Sequence, residues 1–299
     1  MKTDLLEKKE LINQYLKETN RYLSSFSFVS IFSWKDFFDF DLKIIDRNLC
    51  IFAQDSLGTF LYLPPLGKEV VPETIKACFE YMEKANKGKG VTRIENIPEQ
   101  ERHLFPESKF SHYRKGYEYC YFKNDIVNLR GNPYKTKRSS YNFFTKQYNC
   151  VYCSYEKQML DECLDLYAGW AKDRQNKNEE AIYSQMIQEN YKVHRLVLEH
   201  YKELDLVGRV VKVQNKIKAY TFGFEISKDI FCVLFEITDL AIKGLSVFIF
   251  KEFCQDSALA QYKFINVMDD FELKNIERTK MSFHPTILFP AYVVKKKVV

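Results

Sequence analysis

Apolar and polar positions along the chain alternate between two periods. Residues 4–19 set Leu5, Leu6, Ile12 and Leu16 on one face of a charged, amphipathic helix. The segment FSFVSIFSW then leads into three strand-like runs, LKIIDRN, LCIFAQDS and GTFLYLP. The links between these runs, Asp-Arg-Asn and Asp-Ser-Leu-Gly, are turn-like and predict a meander. A second helical pattern, VPETIKACFEYMEKANK, begins with Pro72 in its first turn and ends before KGKG. Two strands, VTRIENI and YEYCYFK, follow. Residues Tyr134–Tyr148 read as a helix with Tyr134, Tyr141, Phe144 and Tyr148 on one face and Lys135, Arg138, Asn142 and Lys146 on the other.

Beyond the strand CVYC the order recurs. The helix EKQMLDECLDLYAGWAKDR turns Met159, Cys163, Tyr167 and Trp170 inward, and a second helix spans roughly 180–201. Three strands come next, LDLVGRVVKV, KIKAYTFGFEI and DIFCVLFEI, joined through QN and SKD; Gly223 in the middle one marks a bulge. The helix GLSVFIFKEFCQDS and the strand YKFIN complete the pattern. Helices, antiparallel meander, helix, strand: the same order without sequence repetition predicts two similar α/β (α+β) domains in tandem, 1–150 and 151–299. A length of 299 residues agrees with two domains.

Composition adds little beyond a folded, aromatic-rich protein with 25 Phe and 20 Tyr. No apolar run is long enough for a transmembrane helix, and the acids in MKTDLLEKKELINQYLKE argue against a signal peptide. Eight irregularly spaced cysteines suit a reducing, cytoplasmic setting. Cys150 and Cys153 form a C-x-x-C, but on a strand their side chains point to opposite faces, and no partner ligands accompany them; no metal site is expected. His194 and His200 lack the four-residue spacing of a helical metal pair and read as structural.

Charge is more informative. The net charge is +5, and the excess lies in residues 1–150, with 24 basic and 19 acidic side chains. It concentrates between Lys109 and Lys146, where nine Lys and Arg face only Glu118 and Asp125. Such a surplus suits a polyanion or a solvated surface about equally.

Candidate chemistry gathers where the last strands end. Glu236 closes the third strand of the second meander, Asp239 follows three residues on, and Gly244 opens the next helix. The following strand ends at Asn266, with Asp270 four residues later and Arg278 and Lys280 beyond. Neighbouring strand ends deliver such groups to one edge of a sheet. A carboxylate there could serve as general base, and Arg278 and Lys280 could hold a phosphate or carboxylate. For single residues the alternatives are capping by Asp239 and Asp270, and ion pairs between them and the two cations. His284, before Pro285, reads as a loop residue.

The stretches FEITDLAIKG, FINVMDDF and KMSFHP, together with LRGNPYKTKRSSYNFF, resemble a bacterial family similar to the C-terminal domain of phosphatidylglycerol lysyltransferase. The resemblance runs from about Leu129 to Pro285. It implies a tandem N-acetyltransferase-like fold, also that of the aminoacyl-tRNA-dependent peptidoglycan ligases, and transfer of an activated acyl group to an amine or hydroxyl. Carried over by position, it points to Glu236, Asp239 and Asp270 as catalytic, and to Lys135, Arg138, Asn266, Arg278 and Lys280 as donor- or substrate-binding. Two positions depart from the family pattern: Glu272 stands where Gly is usual, and Glu277 where Arg is expected. No tightly bound cofactor is implied; the donor is a cosubstrate, aminoacyl-tRNA or acyl-CoA. An acyl-CoA enzyme uses a glycine-rich turn for the pyrophosphate. Here Ala-Ile-Lys-Gly-Leu-Ser offers one glycine, which with the basic surplus favours tRNA as donor and partner. The acceptor is a small molecule, lipid or peptide. The competing reading is a non-catalytic RNA- or ligand-binding module on the same scaffold.

Overall fold

The computed structural model of the chain describes residues 4–19, 22–175 and 181–297. Its contacts divide the chain into two compact units whose bounds differ from the halves read along the sequence. The first comprises Met1–Tyr119, Met268–Glu277 and Ile287–Val299, the second Cys120–Val267 and Arg278–Thr286. The C-terminal segment thus returns to the first unit. Local pattern cannot reveal this, because it is a choice of strand partner.

In the first unit, helices α1 (Lys9–Lys17) and α2 (Phe28–Ser33) precede a meander of β1 (Asp39–Ile45), β2 (Asn48–Gln54) and β3 (Thr59–Leu61). Helix α3 (Pro72–Asn86) then crosses to β4 (Ile94–Pro98), which pairs parallel to β3. Strand β5 (Phe110–Phe122) gives its first ten residues to this unit, and β11 (Ile287–Lys296) inserts between β4 and β5. Helix α2 was legible only as an apolar segment; Ser27 caps it by accepting from the Ser30 N–H at 3.0 Å. Helix α3 starts with Pro72 in its first turn and lays Ile75, Cys78, Phe79 and Met82 on Phe52, Leu61, Ile94 and Ile97. At its end Asn86 accepts from the Thr59 N–H at 2.6 Å and donates to the Thr59 carbonyl at 2.7 Å, replacing a strand partner.

The second unit repeats the plan. It contains α4 (Lys123–Asn128), α5 (Lys135–Gln147), β6 (Cys150–Ser154), α6 (Leu160–Gln175) and α7 (Ala181–Glu199). The predicted start of α7 at residue 180 lies outside the described residues. The meander β7 (Val207–Val213), β8 (Lys216–Ser227) and β9 (Ile230–Thr238) follows, then α8 (Leu245–Gln255) and β10 (Phe264–Asn266). The register of β8 against β9 shifts at Phe222/Gly223, the bulge expected there. Gly223 is required, since a Cβ would lie 2.4 Å from the Cys232 carbonyl oxygen.

Helices α6 and α7 cover one face of this sheet. There His194 stacks on Phe235 at 3.9 Å and its Nδ1 shares a 2.9 Å hydrogen bond with the Tyr220 hydroxyl. Burial drives the His194 pKa down to about 3, so this imidazole is a neutral core group. Helices α5 and α8 cover the other face, where Phe144 and Phe248 pack against Val211, Ala219 and Ile249. Among the described residues no helix is long and apolar enough to cross a membrane, and no group of three or more His, Cys, Asp or Glu is arranged to hold a metal ion.

Candidate active site

The site rests on a fork in the second unit. Strands β9 and β10 run parallel, but they pair through only three positions: Phe264 with Ile230, Ile265 with Phe231 and Asn266 with Cys232. Beyond Cys232, β9 continues for six residues with β8 on one side and, among the described residues, no strand on the other. The backbone groups on that edge are left without a strand partner, so an extended ligand can add there. Burial along β9 fits a cleft wall: Leu234, Phe235 and Glu236 are half-buried between fully buried neighbours.

Glu236 is the distinctive group. Its Oε2 is shielded from solvent and has no hydrogen-bond partner among the described residues. Burial pushes its pKa up from 4.5 to about 8. The carboxylate adds to the burial that raises the Cys254 thiol on α8, so Glu236 faces the α8 side of the sheet. An unpartnered carboxyl group titrating near neutrality has the properties of a general acid or base.

The other expected residues have defined partners. Asp239 forms a 2.8 Å ion pair with Lys218 and accepts from the Ala241 N–H at 3.0 Å. Burial would raise its pKa, but these two contacts outweigh burial and hold it below the usual value. Asn266 is fully buried at the point where the fork opens. Lys280 donates to the Val267 carbonyl at 2.6 Å, and the Tyr121 hydroxyl donates to the Lys280 carbonyl at 2.9 Å, which fastens the tail segment beside the end of β10. Arg278 is exposed in the same unit. Asp270 belongs to the first unit, where it accepts from the Tyr119 hydroxyl and, at 2.9 Å, from the Glu272 N–H. Glu236, Asp239, Asn266, Arg278 and Lys280 are therefore in one unit and Asp270 in the other.

Helix α5 keeps the two faces read from its sequence. Tyr134 and Phe144 are buried, while Lys135, Asn142 and Lys146 are exposed. Arg138 departs from a ligand-facing role: its guanidinium donates to the carbonyls of Leu129 and Gly131, closing the turn after α4. Sequence reasoning passed over Lys137. It donates to Ser282 Oγ at 2.7 Å, lies 3.7 Å from the centre of the Phe283 ring, and burial lowers its pKa to about 8.

The turn that opens α8 is tightly built. Gly244 has φ +87°, and a Cβ there would lie 2.3 Å from the Ser140 carbonyl oxygen of α5. The glycine thus serves helix packing as well as the turn.

Comparison with known proteins bears on the family and the fold. The family model described as phosphatidylglycerol lysyltransferase, C-terminal, matches residues 16–295. The chain belongs to this family. Its members are acyl or aminoacyl transferases, and the coarse class of this protein is that of a transferase. A conserved protein of unknown function from Bacteroides thetaiotaomicron superposes with TM-score 0.84 at 24% identity, over 98% of this chain and 97% of that one. The L-PGS of Bacillus licheniformis gives TM-score 0.69 at 16% identity, covering 97% and 92%. A tandem GNAT protein from the clavulanic acid biosynthesis pathway gives 0.54 at 7% identity, covering 97% and 96%. These likenesses establish the tandem N-acetyltransferase-like fold expected from the sequence. No curated protein matches.

Proposed function

We propose that the protein transfers an aminoacyl group from aminoacyl-tRNA to an amine or hydroxyl acceptor, with the fork between β9 and β10 as donor cleft and Glu236 as general base. The observation that carries this is the unpartnered, shielded carboxylate of Glu236 beside an unpaired strand edge. The acceptor nitrogen or oxygen attacks the ester carbonyl while the ionised form of Glu236, which gains population as pH rises toward 8, takes its proton. The oxyanion is stabilised by backbone N–H groups on the open edge of β9. As the tetrahedral intermediate collapses, the ester C–O bond breaks and the terminal hydroxyl of the tRNA leaves with the proton. Asp239, Asn266 and Lys280 position the strand ends and the tail through the contacts described above.

Two features favour tRNA over acyl-CoA. Arg130, Lys135 and Lys146 are exposed in the second unit with no ion-pair partner among the described residues, a surface suited to phosphates. The turn before α8 has a single glycine packed on the Ser140 carbonyl, which leaves little room for a pyrophosphate against its backbone.

The test is binding and single-turnover transfer with aminoacylated and uncharged bulk tRNA, with acyl-CoA thioesters in parallel. Preference for the aminoacylated form, and loss of transfer in Glu236→Gln with retained binding, are expected. Thioester binding without tRNA binding would reverse the donor. Transfer by Glu236→Gln at the wild-type rate would remove the assigned base, and tRNA binding without any transfer would favour the binding-module reading.

A further inference from the structure

The first unit contains a cavity of about 330 Å³, the size of a small-molecule site. Trp34, Phe38 and Phe60 supply its aromatic wall; Phe38 and Phe60 meet edge to face at 5.4 Å. Trp34 follows α2, Phe38 precedes β1 and Phe60 lies on β3.

The ionised groups around the cavity are already engaged. Glu95 gives one carboxylate oxygen to Arg93 at 2.6 Å and the other to Lys115 at 2.7 Å. Arg93 also lies on the Phe60 ring at 4.1 Å. Asp55 accepts from the backbone N–H groups of Leu57 at 2.8 Å and Gly58 at 3.0 Å. Glu118 has the Ser24 backbone N–H at 2.8 Å and the Ser24 hydroxyl at 2.7 Å among its partners, and Asp269 is engaged as well. An ionic ligand would compete with contacts that are already made, and would lose its own hydration on entry.

Two hydroxyls on the wall are held differently. The Ser25 hydroxyl is shielded and has no hydrogen-bond partner among the described residues; its residue is only 8% exposed. Tyr62 lines the same cavity, is 7% exposed, and its hydroxyl makes no hydrogen bond among the described residues. Burial first, and then the charges of Glu95, Glu118 and Asp269, raise the Tyr62 pKa, so the phenol keeps its proton and can donate. A buried hydroxyl without a protein partner costs stability that a ligand with a matching acceptor recovers.

We propose that this cavity binds an uncharged aromatic molecule that carries a hydrogen-bond-accepting oxygen. The ring lies on Trp34, Phe38 and Phe60, and the oxygen accepts from the Tyr62 hydroxyl, with Ser25 as the second hydroxyl on the wall. Binding here is independent of the transfer reaction proposed above.

Calorimetry on the full chain with benzyl alcohol, ethylbenzene, benzylammonium chloride and sodium benzoate at one ionic strength tests the proposal. Ethylbenzene has the shape of the alcohol without its oxygen. The alcohol should bind more tightly than either ion. Tyr62→Phe removes only an unbonded hydroxyl, so its Tm should not fall. It should weaken the alcohol about fivefold and leave ethylbenzene unchanged. Trp34 and Trp170 are the two tryptophans of the chain. In a Trp170→Phe background the fluorescence of Trp34 should therefore change on saturation with benzyl alcohol. Equal or tighter binding of either ion would overturn the proposal, as would unchanged alcohol affinity in Tyr62→Phe, an equal loss for ethylbenzene, or a silent Trp34. If that variant does not fold, the ranking of the alcohol against the two ions on the wild-type chain and the Trp34 signal decide. The readout is binding without tRNA or transfer, so its failure is distinct from failure of the transferase reading.

Discussion

Replacing Glu236 by Gln should stabilise the protein near neutral pH while removing its general base. The folded chain holds a proton on Glu236 up to about pH 8, whereas the unfolded chain releases it near 4.5. Between these values folding takes up a proton, so stability falls as pH rises through the window. Each pH unit corresponds to about 1.4 kcal/mol, which makes the loss about 5 kcal/mol across the window and about 3 kcal/mol by pH 7. These are upper values, because the residue retains some exposure. Glutamine has the same shape and no charge to desolvate, so the variant escapes the loss. Urea unfolding of both proteins at pH 4.5, 7 and 8.5 measures it. The two should be equally stable at pH 4.5, and the variant should lead by one to a few kcal/mol at pH 8.5. A difference that does not change with pH, or a wild-type protein more stable at pH 8.5, would refute the assignment of Glu236 as a buried, unpartnered acid. A group that costs stability and has no structural partner is what selection for activity leaves in place.

Two more outcomes follow from the same structure. Lys135→Ala and Lys146→Ala should each weaken tRNA binding uniformly across sequences. Each should also lower the slope of log affinity against log salt by about one, read from binding isotherms at several salt concentrations; an unchanged slope would separate this helix from the donor. Gly244→Ala forces a Cβ onto the Ser140 carbonyl at a left-handed φ. It should cost about 1–3 kcal/mol in denaturant unfolding, and a neutral result would show that α5 and α8 can part without penalty.

Much of this architecture was legible in local pattern, because period and punctuation are written in consecutive residues. The 3.6 period with Pro72 gave α3, and the alternating runs with QN and SKD gave the meander β7–β9. Gly223 gave its bulge, and the opposed aromatic and basic faces gave α5. Fold and family were reached because the strand-end motifs around Glu236, Asn266 and Lys280 carry them.

Other features were decided only by tertiary contacts. The sequence could list Asp239, Asp270 and Glu236 as three comparable acids. Folding separates them: Asp239 acquires Lys218, Asp270 acquires the Tyr119 hydroxyl, and of the three Glu236 alone keeps a shielded oxygen without a partner. Desolvation depends on what surrounds a carboxylate in space, and no spacing along the chain encodes it. Likewise Arg138 shared a stripe with Lys135 and Lys146 until the carbonyls of Leu129 and Gly131 claimed it. The cavity of the first unit draws on Ser25, Tyr62, Glu95, Glu118 and Asp269, residues spread over most of the chain. Sequence determined the elements, the tandem plan and the inventory of chemical groups. Tertiary structure determined which charges are neutralised, which are solvated by fixed dipoles and which are left exposed to a ligand, since those depend on distances that only the packed chain sets.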